Sequence, residues 1–412
     1  MNVEMEDSRP PPPCWLDKDF IQRALRAGDG DSTITVTSYE IFMANAVGDG
    51  YASDMYRVIA KLDSSEERRV VIKCQPQGEK IKEFVKNSGI FKIETNMLTK
   101  TLPAMHKLLN EVRPGKYQPF YAECLYHGND PVPFLVLEDL RQSGFTLARR
   151  QQGVDLAHCS LALRTLARFH ASSLALLEQD PTAMECYSAI FSEDVAGMLA
   201  SFFENSLQIF TEVVSKWQGF EKYACALSKL KGKVYNRVAE LFTRKADNFN
   251  VLLHGDPWTN NMMFKYSGCV PEDIRLVDYQ TCTYSCVALD VLYFLYACPS
   301  EEVRIQHMDS LIQKYHSTLL ETLDLLNVTE HSISLEQLNS TLDEFMFYGL
   351  MASVCVMPIV LSDPEDGYDF TKALDDDISE QRYNTKIYKN TAYITAMKRL
   401  LPIFEEKGLL VV

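Results

Sequence analysis

Two hydrophobic periods divide the chain. From about residue 32, apolar and β-branched residues come in short runs at 33–36, 39–47, 55–62, 69–74, 120–126 and 134–137, each bounded by Gly, Pro, Asp or Ser. Runs of this length and composition predict strands, and their succession predicts an antiparallel sheet. Between the fourth and fifth runs, residues 80–110 are charged and place Phe91, Glu94, Met97 and Leu98 at turn spacing, which predicts helix. A brief helix is expected earlier, over 15–27. From Val154 onward the period becomes helical: Leu156, Leu163, Leu166, His170, Leu174 and Leu177 share one stripe, and Ile387, Ile394, Met397 and Leu401 another. One island interrupts this part, at 251–279, with strand-like runs at 251–253, 262–265 and 274–277. The expected class is α+β. Residues 1–30 form an extension, 31–140 a sheet-bearing N-lobe and 141–412 a mainly helical C-lobe, joined near 138–144 with a cleft at the junction.

Composition narrows the chemistry. The 412 residues are 46% hydrophobic and 24% charged, an ordinary globular balance. Fifty-six acids against 41 bases give a net charge of -15, so the surface repels polyanions and nucleic acid is not an expected partner. The 11 cysteines follow no repeating spacing in a chain too large to need staples, and read as reduced thiols of a cytoplasmic protein. Cys282 and Cys286 lack the further ligands a zinc site needs. The N-terminus is acidic and then proline-rich, unlike a signal peptide. The longest apolar runs, 286–298 and 349–361, contain Asp290 and Pro358 and fall short of the roughly 18–20 residues of a membrane span. Both are expected as buried helices.

The chemistry concentrates in His254-Gly255-Asp256-Pro257-Trp258-Thr259-Asn260-Asn261, followed by Asp278 in Leu276-Val277-Asp278-Tyr279-Gln280. Phosphoryl transfer from ATP needs a carboxylate near the attacking hydroxyl and oxygen ligands for the Mg²⁺ that bridges the phosphates. An Asp, an Asn five residues on, and a second Asp ending an apolar strand supply those parts. The bland alternative is a turn at Asp256 and a strand-end cap at Asp278. Lys73, on the apolar run Val70-Val71-Ile72, requires an anion if buried, either Glu94 on the following helix or the nucleotide phosphates; otherwise it reaches solvent at a strand edge. Gly48-Asp49-Gly50-Tyr51-Ala52-Ser53 can cover phosphates with backbone N–H groups and the Ser53 hydroxyl, or be an ordinary hairpin turn. The run Phe134 to Leu140 enters the junction, where its backbone suits an adenine edge. Glu138 and Asp139 either serve that site or are solvated hinge residues.

These residues resemble a known family. Val-Ile-Lys at 71–73, the Glu94 helix, Phe-Leu-Val-Leu-Glu-Asp-Leu at 134–140, Leu-Ala-Arg-Phe-His-Ala at 166–171, His-Gly-Asp-Pro-Trp-x-x-Asn at 254–261 and Leu-Val-Asp-Tyr-Gln at 276–280 look like the insect ecdysteroid kinase-like (CHK kinase-like) family. That family lies within the aminoglycoside phosphotransferase and choline kinase group, and the similarity covers roughly residues 30–402. It implies a protein-kinase-like, two-lobed fold and an ATP- and Mg²⁺-dependent transfer to a hydroxyl of a small molecule. Asp256 would be the catalytic base, Asn261 and Asp278 the metal ligands, Lys73 the phosphate-binding lysine and Glu94 its partner. Gly48, Gly50, Ser53, Glu138 and Leu140 would complete the ATP site, with His254 and Asp290 as structural supports. His170 is taken as a core histidine.

Gly50 departs from the Asn or Glu expected in the family's loop. Tyr279-Gln280 replaces the Phe-Gly of protein kinases and no Ala-Pro-Glu follows, which argues against a peptide substrate. The implied acceptor is an ecdysteroid or another hydroxylated hydrophobic compound, including plant toxins handled in detoxification. Phe202, Phe203, Phe210, Trp217, Phe345 and Tyr348 are candidates to line its pocket, or are plain core. Choline or an amino-alcohol is the alternative acceptor, and a nucleotide-binding pseudokinase scaffold the alternative of another class. No protein partner is implied.

Overall fold

A computed structural model of the chain describes residues 11–44, 53–76, 79–187, 193–363, 366, 368 and 382–411. The N-lobe holds helix α1 (Lys18–Asp29), strands β1 (Val36–Met43), β2 (Asp54–Leu62) and β3 (Glu67–Cys74), helices α2 (Glu79–Ser88), α3 (Ile90–Asn96) and α4 (Leu102–Val112), and strands β4 (Cys124–Gly128) and β5 (Phe134–Glu138). The strands form one antiparallel sheet in the order β1-β2-β3-β5-β4. Central β3 is buried from Val70 to Cys74, which brings the Lys73 ammonium inside the molecule.

Four expectations shift. The runs at 33–36 and 39–47 merge into the single strand β1. The pattern at 80–110 breaks into separate helices at Gly89, whose φ of +67° is a conformation that glycine adopts without steric cost. The run at 120–126 pairs only from Cys124, because the Phe120 carbonyl instead accepts from Leu276 N at 2.8 Å and the Tyr279 hydroxyl at 3.0 Å in the other lobe. Helix α1, expected within a separate extension, belongs to the N-lobe core: Phe20, Ile21, Ala24 and Leu25 pack with Val36, Tyr56, Val58 and Phe134.

The C-lobe begins with strand β6 (Thr146–Leu147) and the long helix α5 (Leu156–Gln179), capped by the Asp155 carboxylate, which accepts from His158 N at 3.0 Å. Helices α6 (Glu193–Val214), α7 (Glu221–Ser228) and α8 (Val234–Phe242) lead to the expected island of strands, β7 (Asn250–Leu253), β8 (Met262–Ser267), β9 (Val270–Leu276) and β10 (Thr283–Cys286). Two small antiparallel sheets result, β10-β7 and β6-β8-β9. They are followed by α9 (Ala288–Ala297), α10 (Glu301–Gln306), α11 (Met308–Leu325), α12 (Leu335–Glu344), α13 (Met346–Cys355), α14 (Met357–Leu361) and α15 (Thr391–Glu406).

Helix α5 packs along α11 and buries Leu163, Leu166, His170 and Leu174 from its predicted stripe. Each such apolar side chain contributes about 1.5–3 kcal/mol. Helix α9, apolar apart from Asp290 and two tyrosine hydroxyls, is buried along its whole length and so lies inside the lobe. No described helix is long and apolar enough to cross a membrane. The architecture is the α+β, protein-kinase-like two-lobed class expected, an antiparallel-sheet N-lobe on a helical C-lobe.

Candidate active site

The loop between β7 and β8 carries Asp256, and the end of β9 carries Asp278. Backbone pairing fastens the two together: Val277 N donates to the Asn261 carbonyl at 2.9 Å, and Met262 pairs with Leu276 in the β8–β9 ladder. At Gly255 the chain turns with φ +83°, and a Cβ there would meet the Thr281 carbonyl oxygen at 2.3 Å, so only glycine fits. Asp278 itself has φ +67°, a conformation that costs a non-glycine residue about 1–3 kcal/mol and is found where the surroundings dictate it.

Lys73 meets Asp278 from above. Its Nζ lies 2.7 Å from Glu94 Oε2 and 2.7 Å from Asp278 Oδ1, with Lys73 and Glu94 almost fully buried. Burial alone would lower the ammonium's pKa, but Asp278 and Glu94 outweigh it and raise it above the ordinary lysine value. Burial pushes Glu94 up against the pull of Lys73. Lys73, Glu94 and Asp278 thus form one ion cluster spanning the lobes.

Asp256 sits beside this cluster. One of its carboxylate oxygens, Oδ1, accepts from the Tyr293 hydroxyl, and the other, Oδ2, from Asn261 Nδ2 at 2.9 Å. Burial raises its pKa to about 7; the bonds from Tyr293 and Asn261 work against this shift and the Asp278 and Asp290 charges with it. Asn261 Nδ2 also donates to the Asp256 carbonyl at 3.0 Å, which commits the amide nitrogen and leaves Oδ1 as the uncommitted atom. With the Asp278 carboxylate it makes a pair of hard oxygen donors, the kind Mg²⁺ takes.

Support for the loop comes from α9. The Asp290 carboxylate accepts from His254 N at 2.7 Å, Gly255 N at 2.9 Å and His170 Nε2 at 3.0 Å. His170 is fully buried, with Nδ1 at 2.6 Å from the Tyr315 hydroxyl. His254 Nε2 lies 3.1 Å from the Val277 carbonyl, tying the loop to β9, and burial lowers its pKa, so the ring is neutral and donates through Nε2.

At the junction, Asp139 is buried in an ion pair with Arg57 of β2, Nε to Oδ2 2.6 Å, rather than solvated. Glu138 is half-buried and its Oε1 accepts from Glu123 N at 3.0 Å. The Leu140 carbonyl accepts from Ser143 N and Phe145 N. Glu138, Asp139 and Leu140 line the same cavity as Lys73, Glu94, Asp256, Asn261 and Asp278. Ser53 is buried but does not reach that cavity, and Gly48 and Gly50 lie outside the described residues.

The cavity, of about 450 Å³, continues past Asp256 into the C-lobe, where α6, α8, α13 and α14 wall it. Phe202, Phe203 and Tyr348 line this end. Phe210, Trp217 and Phe345 are core instead, with Phe210 packed against Trp217, Tyr388 and Tyr393. The acidic residues lining the cavity are Glu94 of α3, Glu138 and Asp139 at the junction, Asp256 of the β7–β8 loop and Asp278 after β9. Among the described residues the helical end carries none.

Tyr293 and Arg57 escape sequence reasoning. Tyr293 had a usable signal: it lies three residues after Asp290 on α9, so it faces the same loop. Arg57 had none, since its partner is 82 residues away.

A family model described as the ecdysteroid kinase-like family matches residues 47–328, more than half of the chain. No curated protein matches significantly. Remote similarity extends to solved structures. Plasmodium vivax ethanolamine kinase is 13% identical over 90% of this chain and 83% of its own, with a TM-score of 0.41. A putative aminoglycoside phosphotransferase from Ralstonia eutropha is 10% identical over 93% and 98%, with a TM-score of 0.42. An aminoglycoside phosphotransferase solved with GDP and kanamycin is 12% identical over 92% and 99%, with a TM-score of 0.41. The chain belongs to the ecdysteroid kinase-like family.

Proposed function

We propose that this member of the ecdysteroid kinase-like family is an ATP- and Mg²⁺-dependent kinase that phosphorylates a hydroxyl of a neutral, mainly apolar small molecule, an ecdysteroid or another hydroxylated hydrophobic metabolite or xenobiotic. One observation carries this reading: a single cavity joins an ionic end, built from Lys73, Glu94, Asp256, Asn261 and Asp278, to an apolar end free of carboxylates among the described residues.

In this reading ATP lies along the junction with its base against the backbone at Glu138 to Leu140, and its phosphates reach Lys73, which Glu94 holds in place. Gly48 and Gly50 belong to the same proposal as phosphate-covering residues; Ser53, which does not reach the cavity, is not carried into it. Asn261 Oδ1 and the Asp278 carboxylate would hold Mg²⁺, which when bound neutralises phosphate charge. The acceptor enters from the helical end and presents a hydroxyl to Asp256. As the bond from that oxygen to the γ-phosphorus forms and the bond from phosphorus to the β–γ bridging oxygen breaks, Asp256 takes the hydroxyl proton and ADP leaves. A carboxylate with a pKa of about 7 is matched to that task near neutral pH. Asp290 and His254 act by keeping the loop's backbone in place.

A cationic amino-alcohol acceptor fits less well, because among the described residues the helical end offers it aromatic rings but no carboxylate to balance its charge. A pseudokinase scaffold is disfavoured by the presence of all five polar residues. We place the protein in the cytoplasm on the strength of its free cysteines. The test is incubation with labelled ATP and Mg²⁺ against hydroxysteroids, phenolic glucosides and choline, with mass detection of product. A phosphorylated neutral alcohol is expected. Phosphocholine as the preferred product overturns the acceptor class, and nucleotide binding without any product overturns the enzyme.

A further inference from the structure

We propose that Tyr348 is the residue by which this cavity recognises a second oxygen on its acceptor, a hydroxyl or carbonyl remote from the hydroxyl that is phosphorylated. The inference rests on reading the helical end of the cavity as the acceptor site.

Among the described residues of α6, α8, α9, α13 and α14 that line the cavity, three carry polar side chains: Tyr293, Tyr348 and Cys355. The Tyr293 hydroxyl is committed to Asp256. Burial pushes the Cys355 thiol up to about 12, so it remains a protonated, weak hydrogen-bonding group. Tyr348 differs from both. It is 7% exposed and lines the cavity, and among the described residues its hydroxyl makes no hydrogen bond, so it is open to the cavity. Phe242 meets its ring edge-on at 5.3 Å between centroids, and Tyr293 packs against it at 6.2 Å.

A phenol hydroxyl both donates and accepts, and one removed from water without a partner is unfavourable. An occupant that is hydrocarbon at this point leaves the group unpaired, whereas one with an oxygen there satisfies it. Such sites discriminate asymmetrically: they reject the analogue that lacks the polar group far more strongly than an apolar wall rejects one that has it. Because Tyr293 bridges Asp256 and the Tyr348 ring, the two recognition points share one wall. Asp256 receives the reacting hydroxyl and Tyr348 the bystander oxygen. The favoured acceptor is thus a rigid apolar body with at least two oxygens.

The test compares probes that differ by one oxygen, a naphthol with a naphthalenediol and a steroid monoalcohol with its diol, in wild type and Tyr348→Phe. The readouts are kcat/KM for phosphorylation and calorimetric Kd in the presence of a non-hydrolysable ATP analogue and Mg²⁺. Wild type should favour the diol by about tenfold or more. Tyr348→Phe should bring that ratio to within about twofold, by lowering the diol's kcat/KM and raising the monoalcohol's, and leave the Tm unaltered, since the lost hydroxyl has no partner among the described residues. A preference that survives in Tyr348→Phe, or no preference in wild type while both probes are phosphorylated, overturns the role of Tyr348 alone. Failure of every probe to bind or react overturns the acceptor-site reading, and this inference with it.

Discussion

The two ends of the cavity are built on opposite principles. At the junction, charges are buried together and satisfy one another: Lys73 between Glu94 and Asp278, Asp139 against Arg57, Asp256 between Tyr293 and Asn261. At the helical end the wall is apolar, contributed by α6, α8, α13 and α14, with hydroxyls and a thiol as its polar groups. An ionic site tolerates little change, because removing one partner leaves a buried charge exposed to its desolvation cost. An apolar wall tolerates exchange of one hydrophobic residue for another of similar size. The contrast places invariant chemistry at one end and adjustable specificity at the other, and it can be tested from both sides.

The largest effect should come from Asp256→Asn. It removes the proposed base while keeping the shape of the loop, so kcat should fall by roughly 10³-fold or more, with ATP affinity measured by calorimetry nearly unchanged. Retention of near-normal turnover would remove Asp256 from the mechanism.

Next is Tyr293→Phe. The Tyr293 hydroxyl binds a carboxylate, and bonds of that kind are worth about 1.5–3 kcal/mol, so kcat should drop roughly 10–100-fold. KM for both substrates should hold, which separates a residue that sets the base from one that shapes the pocket.

From the other end, Ala352→Phe fills the cavity beside Tyr348. It should raise the acceptor's KM by about tenfold while leaving nucleotide affinity unaltered. If ATP binding weakens equally, the two ends are not separable.

The smallest effect concerns pH and the ligand-free protein. Burial raises Asp256 to about 7 from an ordinary 3.8, so the folded state holds that proton more tightly than the unfolded chain. Its contribution to stability is fully present below about 4 and is lost as pH rises toward 7. The Tm should therefore decline by a few degrees, on the order of ~5 °C at most, across that window, and Asp256→Asn should flatten the decline. An identical slope in both proteins would show that another group is responsible.

The comparison also explains what a reader of the sequence can and cannot see. The ionic end was legible because its parts are close in sequence or sit on recognisable runs: Asp256, Asn261 and Asp278 span one hairpin, and Lys73 lies in an apolar strand where a charge stands out. Its second layer was not. Tyr293 meets Asp256 across 37 residues, marked only by its place one turn after Asp290, and Arg57 meets Asp139 across 82 with nothing local to mark the pair. The apolar end was illegible in a different way. Phe203 and Phe210 lie two turns apart on α6, yet the first lines the cavity and the second is sealed by Trp217, Tyr388 and Tyr393. Composition cannot separate a lining aromatic from a core one, because the difference lies in what other helices place against each. Fold class followed from the change of period near residue 150. The N-lobe's inclusion of α1 did not, since docking of an amphipathic helix depends on the sheet face left free for it.

Asp290 gives the catalytic loop a dependence on the whole lobe. The amides of His254 and Gly255 have this one carboxylate as their acceptor, and the same carboxylate is held by His170 on a helix more than a hundred residues earlier. A chain in which Asp290 of α9 has not met His170 of α5 lacks the acceptor that organises those amides, and with it the alignment of Asp256. On the proposed function, catalytic competence and completed assembly of the C-lobe become a single event, and a partly assembled chain would be silent rather than unselective.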